Sequence, residues 1–289
     1  MIAVIVEPTC GLRPILARAD ATLALAAEYP YRALDVERTP VNKIDFNLVW
    51  DDARAMARGN RDLLTAIAGM FLLLPSIVAG QFSRMPPPLA TGAAPEAAMA
   101  RLMEYATLNW PVLVVHSLVT AFGILAMLAL LLRTERLTVA QSLHAALLAL
   151  PVYILAVIVQ RFGVMCGLTL FFLPGFYLLG RLALIAPVAV VERPGNPLIM
   201  LRRSAELTYG NGWRIFVMLA TVFLAATAIG IAVTSVVGVL ASLLLSTELA
   251  NLAVAIVSGL VETTIGLAIM LVTAALYRAA SRPAGARRA

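Results

Sequence analysis

The sequence predicts an all-α integral membrane protein with six transmembrane helices and short interfacial helices on the cytoplasmic side. Hydrophobic residues make up 61% of the 289-residue chain, and only 13% of its residues are charged. A soluble domain of this size needs about a quarter charged residues to cover its surface. The mean hydropathy is +0.91, and long uncharged stretches recur between short charged segments. Such stretches cross a bilayer as helices.

The first 41 residues differ from the rest of the chain. They contain no apolar run of signal-peptide or transmembrane length, and their charges come at short intervals. We predict a poorly packed cytoplasmic extension with one helix from about Leu12 to Glu28. The alternative is that native translation starts at Val41, because the residues that follow look like an ordinary N-terminus and bacterial valine codons can start translation.

Residues 42–282 are predicted to form one membrane domain. Apolar residues recur every three or four positions from Phe46 to Ala57, which is typical of a helix lying in the interface. The next uncharged run, about 30 Å long as a helix, matches the thickness of the hydrocarbon layer. A long loop with a helix-like patch over 95–105 separates the first two spans. The predicted spans are residues 63–82, 110–132, 139–160, 165–191, 215–236 and 250–277.

Prolines and length predict irregularities in the later spans. A turn is expected at Gln160 to Gly163, and kinks are expected at Pro174 and Pro187 within the fourth span. The uncharged run that contains the fifth span would be about 50 Å long as one helix, more than a perpendicular crossing needs. The fifth span is therefore expected to tilt, to bend near Gly230 or Gly238, or to be followed by an apolar outer segment, so residues 237–247 either extend this span or form that segment.

Arginine and lysine predict the orientation of the chain. Of the 22 Lys and Arg residues, 18 fall on the side of the two termini, three fall on the opposite side, and Arg181 lies within a span. By the positive-inside rule both termini are cytoplasmic, including the basic tail 283–289. Because the basic residues are scattered between apolar spans, the net charge of +6 indicates membrane topology and not a nucleic-acid partner.

A weak internal repeat joins two parts of the chain. Residues 53–67 align without gaps with residues 204–218, and both contain Gly-Asn before a span. Residues 138–144 resemble a third copy, which predicts three units of a short helix plus a helical hairpin. Chance similarity between apolar segments, or the chemistry of helix ends, is the alternative explanation.

A set of residues around the fourth span resembles a known family. The pattern is Gly180-Arg181-Leu182, Pro187, Glu192, Pro197, Arg203-Ser204, Leu207, Gly210-Asn211 and Trp213-Arg214. It is similar to the bacterial glycerophosphoryl diester phosphodiesterase membrane domain family and to related uncharacterised inner-membrane proteins. The resemblance is spread over about residues 42–282 and concentrated in 181–214. It implies a membrane module and, by itself, no activity.

Two charged residues are predicted near the middle of spans, where each is expensive unless paired or hydrated. Arg181 lies ten residues before the end of the fourth span, and Glu262 lies twelve residues into the sixth. Glu262 shares a face with Gly259 and Gly266, so it is expected to face other helices. An ion pair, or separate hydrogen-bonded groups that join two helices, is one reading of the two residues. Binding of a solute or a lipid head group is a second, and a reach of Arg181 toward Glu192 is a third.

The sequence contains no catalytic constellation. His116 and His144 stand alone in apolar surroundings, and Cys10 and Cys166 have no ligand-like spacing, so no metal or cofactor is expected. We therefore predict a non-enzymatic protein of envelope or lipid homeostasis, or a membrane scaffold. Its expected partners are lipids, with Arg202 and Arg203 on anionic head groups, and a protein partner or a second copy. The alternative is a small-solute or lipid transporter or channel that uses Arg181 and Glu262.

Overall fold

The computed structural model describes residues 44–84, 86, 94–133, 137–170 and 172–281. The predicted N-terminal extension with its helix, Cys10 and the basic tail 283–289 lie outside the described residues. Every regular element within the described ranges is helical. In chain order they are α1 (Phe46–Gly59), α2 (Arg61–Ala68), a π-helical turn (Gly69–Leu73), α3 (Leu74–Phe82), α4 (Pro95–Leu132), α5 (Val139–Leu170), α6 (Phe172–Arg181), α7 (Ile185–Val191), α8 (Pro197–Leu207), α9 (Gly212–Leu244) and α10 (Thr247–Ser281).

Six helical stretches of the described chain are long and apolar enough to cross a membrane. This confirms the predicted helical class and the predicted number of long apolar segments. The stretches are Arg61–Phe82, Glu96–Leu132, Val139–Leu170, Phe172–Val191, Gly212–Leu244 and Thr247–Ser281.

The first and second stretches differ from prediction in detail. The π-helical turn lies directly before Pro75, which has no N–H to continue the hydrogen-bond ladder. Helix α4 begins at Pro95, fifteen residues before the predicted span, so the helix-like patch in the loop and the span are one helix. Residues of high helix propensity such as Ala, Glu, Met and Leu fill the added turns, which explains their continuity with the apolar part.

The third and fourth stretches break at other places than predicted. Helix α5 continues through the expected turn at Gln160 to Leu170. The following stretch is interrupted at residues 182–184, between α6 and α7. Pro174 and Pro187 each occupy the third position of a helix, where a backbone N–H has no intrahelical acceptor. These two prolines therefore mark helix starts and not kinks.

The last two stretches are continuous helices. Helix α9 extends to Leu244, so residues 237–244 belong to it and do not form a separate outer segment. It packs closely on α10 at Gly230, where a Cβ atom would collide with the side chain of Val261. The possible bend at this glycine is thus replaced by a close helix contact, which small residues permit.

The hydrophobic core is concentrated at one end of the bundle. Buried side chains come from the last turns of α4 and α10, from the first turns of α5 and α9, and from α1. Helix α7 lies among them, with Val188 and Val190 fully buried. The opposite half of the long helices exposes large apolar side chains, among them Phe162, Leu170, Ile231 and Leu243. A polar solvent would not favour such a surface.

Two short helices lead into long ones in a similar way. Helix α1 is followed by Asn60 before α2, and α8 is followed after a turn by Asn211 before α9. Gly210 in this turn has a φ of 73°, a left-handed conformation that favours glycine. By contrast, residues 138–144 form the start of α5, closed by reciprocal hydrogen bonds of Thr138 and Gln141. The third predicted unit has no short helix of its own in the described residues.

Candidate functional site

Arg181 and Glu262 lie in separate polar clusters. No ion pair joins them among the described residues, and each has other neighbours. The guanidinium of Arg181 lies over the rings of Tyr177 and Tyr209, at 5.8 Å and 5.3 Å from their centroids. Glu262 instead contacts Ser76 and His116. The ion pair considered from the sequence is therefore wrong.

The break between α6 and α7 is held by side chains of α8. The hydroxyl of Ser204 donates to the main-chain oxygen of Arg181 at 3.1 Å and accepts from the N–H of Leu184 at 3.2 Å. Thr208 donates a second hydrogen bond, of 2.8 Å, to the same oxygen. Ser204 and Thr208 are both completely buried. Because a buried main-chain group without a partner is costly, these hydroxyls make the break stable.

Gln160 completes the support of this break from α5. Its side-chain amide donates to the oxygen of Leu182 at 3.4 Å. A turn was expected at Gln160, and the structure instead places its amide against the broken helix. The sequence around Gln160 does not show that a helix break elsewhere leaves a main-chain oxygen without an intrahelical donor. The hydrogen bond of Gln160 to this oxygen was therefore not predicted.

Two glycines let α6 and α9 approach each other closely. A Cβ atom on Gly180 would collide with the carbonyl group of Gly212, and one on Gly212 would crowd the side chains of Arg181 and Tyr177. The Gly-Arg pair of the family-like pattern thus has a steric function at its first residue. The close contact of α6 with α9 also places Arg181 beside the first turn of α9, and not midway along an unbroken helix.

The side chain of Arg181 lies in an aromatic environment with one unsatisfied nitrogen. Its Nη1 atom is buried and makes no hydrogen bond. Tyr177, one of the rings beneath the guanidinium, packs against Trp213 with 6.2 Å between centroids. Aromatic faces attract a guanidinium, and a buried donor without a partner is suited to an oxyanion or a water molecule. This arrangement can hold an oxygen of a phosphate or carboxylate group.

Glu192 is paired with Arg203, and Arg181 does not reach it. The Nε atom of Arg203 donates to Glu192 at 2.7 Å, and the hydroxyl of Tyr277 donates to the other carboxylate oxygen at 3.1 Å. Burial opposes the charged form of Arg203, but its hydrogen bond to Glu192 and the charges of Glu192 and Glu206 raise the pKa of the guanidinium. Arg202 forms a 2.9 Å ion pair with Glu206 on the same helix. The reach of Arg181 toward Glu192, which was the third hypothesis from the sequence, is therefore wrong.

The remaining residues of the interfacial motif are structural. The side-chain oxygen of Asn211, a residue 5% exposed, accepts a hydrogen bond of 3.3 Å from the N–H of Ile44. This bond ties the chain before α1 to the start of α9. Trp213 is partly exposed and packs edge-on against Phe216. Gly210 provides the left-handed turn between α8 and α9.

The second cluster joins α3, α4 and α10. The hydroxyl of Ser76 donates to Oε2 of Glu262 at 2.8 Å and lies 3.3 Å from Nε2 of His116. The same histidine nitrogen is 3.7 Å from Oε1 of Glu262. As predicted, the face with Gly259 packs closely on another helix, with Ile77 of α3 at 3.0 Å from an added Cβ atom.

A cavity of about 170 Å³ adjoins Glu262. Thr120, on the same face of α4 as His116, lines it, and its hydroxyl oxygen is buried without a hydrogen-bond partner. The Glu262 side chain is nevertheless 59% exposed. Contrary to expectation, the carboxylate is therefore not enclosed by other helices. Arg181 does not line this cavity.

The sequence did not predict the partners of Glu262. His116 was expected to stand alone in apolar surroundings, and Ser76 was not singled out. The two contacts of Ser76 span 40 and 186 positions in the chain, so no local spacing connects them. Only a weaker signal was present in the sequence. Ser76, His116 and Glu262 are each polar residues within an apolar segment, and polar side chains in such segments pair with one another.

The geometry of this cluster does not suit nucleophilic catalysis. A base that activates a serine is oriented by a carboxylate at its opposite ring nitrogen. Here Ser76 and Glu262 both approach Nε2 of His116, and the serine hydroxyl donates a hydrogen bond to the carboxylate. The arrangement is suited to holding a proton or a cation between the carboxylate and the imidazole.

Comparison with known proteins gives no relative. No protein-family model, no curated protein and no solved structure matches this chain. The function proposed below therefore rests on the sequence and on the geometry of the two clusters.

Proposed function

We propose that the protein is a multi-pass, non-enzymatic protein of the bacterial inner membrane that binds anionic lipids at its cytoplasmic face. The observation that carries this proposal is the outward apolar surface of the six long helices. Only 17% to 44% of the most apolar stretch of each helix is buried inside the protein. Hydrocarbon is the solvent that such a surface favours.

The distribution of charge supports a cytoplasmic location of both termini. Arg133, Arg193 and Arg278 all lie near helix ends at the densely packed end of the bundle, as do the arginines of α8. Arg84 and Arg101 lie at the other ends of their helices, where the chain has few basic residues. The positive-inside rule therefore favours the packed end as the cytoplasmic one.

Helix α8 has the features of a lipid-binding interfacial helix. Its first turn exposes Leu198 and Ile199, at 62% and 55%, close to the exposed Arg202 and half-exposed Arg203. Exposed apolar side chains next to arginines favour the boundary between head groups and acyl chains. Each arginine contributes about 1 kcal/mol near an anionic surface. Arg181, with its unsatisfied Nη1, provides a further contact for a phosphate oxygen.

The resemblance to the glycerophosphoryl diester phosphodiesterase membrane domain family is part of the proposal. This part is supported by contacts between residues of the pattern. Gly180 packs on Gly212, which precedes Trp213, and the hydroxyl of Ser204 hydrogen-bonds to the main-chain oxygen of Arg181 at the helix break. The proposed role is that of a membrane module in envelope or lipid homeostasis, or of a scaffold for a protein partner or a second copy.

Three measurements test this proposal. Reporter fusions at Ala289 are expected to be cytoplasmic and those within residues 91–96 periplasmic, and the reverse result would overturn the orientation. The double change Arg202→Glu with Arg203→Glu is expected to weaken retention of phosphatidylglycerol about tenfold or more. The control, Arg101→Glu with Arg161→Glu, alters net charge equally and is expected to retain the lipid. Release of glycerol phosphate from a glycerophosphodiester by the pure protein would contradict a non-enzymatic role.

A second candidate is a small-solute or lipid transporter or channel. The cavity beside Glu262 and the broken fourth stretch favour it, because discontinuous helices and ionisable groups mark transport sites. Arg181 and Glu262 would then act at separate places. In the variant Thr120→Cys, labelling of the new thiol by a polar reagent from both sides of the membrane would favour this candidate. Labelling from neither side would exclude it.

A further inference from the structure

We propose that Glu262 and His116, bridged by Ser76, form a site that binds and releases one proton midway along the long apolar helices. This inference requires the proposed insertion of the helices in a membrane, but it does not depend on lipid binding or on transport. It follows from the position of Glu262, from the geometry of its two partners, and from the adjoining cavity.

Glu262 lies near the middle of a long apolar helix. On α10, the nearest other titratable residues are Glu248 and Tyr277, fourteen and fifteen positions away, or about 20 Å along the helix axis. A carboxylate without a counter-charge is unfavourable at such a position, whereas a carboxylic acid or an ion pair is tolerated. The environment therefore favours a site that holds one proton.

The partners allow two arrangements of that proton. Either Glu262 carries it beside a neutral His116, or the carboxylate lies beside an imidazolium. Both have no net charge, and release of the proton to water leaves a single negative charge on Glu262. The 3.7 Å between Nε2 and Oε1 is too long for a direct hydrogen bond. The Ser76 hydroxyl, at 2.8 Å from one group and 3.3 Å from the other, is placed to pass the proton between them.

The cavity can hold water beside the carboxylate. Its volume of about 170 Å³ is enough for several water molecules, each of which occupies about 30 Å³ in the liquid. Water is retained only where polar groups bind it, and Glu262, Ser76 and Thr120 all line this cavity. The buried hydroxyl of Thr120 has no protein partner and is available to a water molecule.

No other titratable group of the described chain approaches the site. Residues 69–82 contain none, and neither do residues 215–244 of the helix that packs on α10. On α4, the nearest titratable neighbours of His116 are Tyr105 and Arg133, eleven and seventeen positions away. Protonation at this site therefore depends on Glu262 and His116 alone.

Carbodiimide labelling of the full chain in lipid nanodiscs tests the proposal. Dicyclohexylcarbodiimide is apolar and reacts with protonated carboxyl groups, so modification of Glu262, read by peptide mass spectrometry, reports its proton. Labelling is expected to fall as the pH is raised, because only the protonated carboxyl group reacts. Glu262→Gln is expected to abolish the modification of this peptide.

A histidine pair provides the matched control. His116→Asn removes the imidazolium that favours the carboxylate, so labelling of Glu262 at the same pH is expected to rise. His144→Asn, on α5, is expected to leave the profile unchanged. If His116→Asn does not accumulate as a folded protein, His116→Gln is the substitute.

Two results would overturn the inference: absence of labelling at every pH, or a profile that His116→Asn leaves unchanged. Failure here is distinguishable from failure of the proposed function. Correct reporter topology with a negative labelling result overturns the proton site only, whereas inverted reporters overturn the proposed orientation regardless of labelling.

Discussion

The hydroxyl of Thr208 donates a 2.8 Å hydrogen bond to the main-chain oxygen of Arg181, 27 positions earlier in the chain. Together with Ser204, it makes α8 the element that satisfies the break between α6 and α7. The break and α8 are therefore one structural unit, because displacement of α8 would leave buried main-chain groups without partners. Any lipid that binds α8 acts on this unit.

Removal of one hydroxyl from this unit is expected to be costly. Ser204→Ala leaves the N–H of Leu184 unpaired and removes one of two bonds to Arg181, so the free energy of unfolding should fall by about 1–3 kcal/mol. Thermal unfolding in detergent measures the change. Ser242→Ala, which removes an exposed hydroxyl bonded within its own helix, should change stability by less than about 0.5 kcal/mol. Equal effects of the two changes would contradict the assignment.

A methyl group added at the contact between α6 and α9 is expected to destabilise the protein. Gly180→Ala forces a Cβ atom into the carbonyl group of Gly212, and the cost of such overpacking is about 1–3 kcal/mol. Gly163→Ala is the control, because no atom lies within 4 Å of its added Cβ. In a helix that change should be neutral or should stabilise by up to about 1 kcal/mol. Thermal unfolding of both variants decides, and a stable Gly180→Ala would argue against close contact of the two helices.

The number of long helices could be predicted from the sequence, since uncharged runs of the right length specify them directly. Their ends could not be predicted as well. The start of α4 at Pro95 depends on helix propensity that continues smoothly into apolar sequence. The break at residues 182–184 depends on donors from α8 and on Gln160 of α5, which local patterns do not reveal.

The candidate residues were also predicted only in part. Arg181 and Glu262 were found because charge in an apolar segment is rare. Their partners were not found, because a side chain's neighbours depend on how helices pack. The pairing of Arg181 with Glu262 assumed that two isolated opposite charges meet, whereas aromatic rings face Arg181, and His116 and Ser76 contact Glu262.

Separation of the two clusters predicts additive effects. The free energies lost in Arg181→Met and in Glu262→Gln are expected to sum in the double variant to within about 0.5 kcal/mol, because residues without shared partners do not couple. Ser76→Ala and Glu262→Gln share a hydrogen bond of 2.8 Å, so that pair is expected to couple by about 0.5 kcal/mol or more. The same unfolding measurement serves both cycles. Strong coupling of Arg181 with Glu262 would show that the clusters communicate.

The pair of Arg203 and Glu192 is expected to be stronger than that of Arg202 and Glu206. Glu192 is also held by the hydroxyl of Tyr277, and its side chain is only 28% exposed, whereas that of Arg202 is 66% exposed. A more exposed pair is better screened and contributes about 0.3–0.5 kcal/mol along a helix. A double-mutant cycle with Arg203→Met and Glu192→Gln should therefore give a coupling nearer about 1 kcal/mol.

High salt is expected to weaken the coupling of Arg202 with Glu206 more than that of Arg203 with Glu192. At about 1 M salt the screening length falls to about 3 Å, so the coupling of Arg202 with Glu206 should disappear. The coupling of Arg203 with Glu192 should persist in part, because burial limits access of ions and the 2.7 Å hydrogen bond remains. The measurement is the same unfolding cycle repeated at low and high salt. Loss of both couplings to the same extent would mean that Glu192 is as accessible to solvent as Glu206, and that α8 is not fixed to the end of α10 through Tyr277.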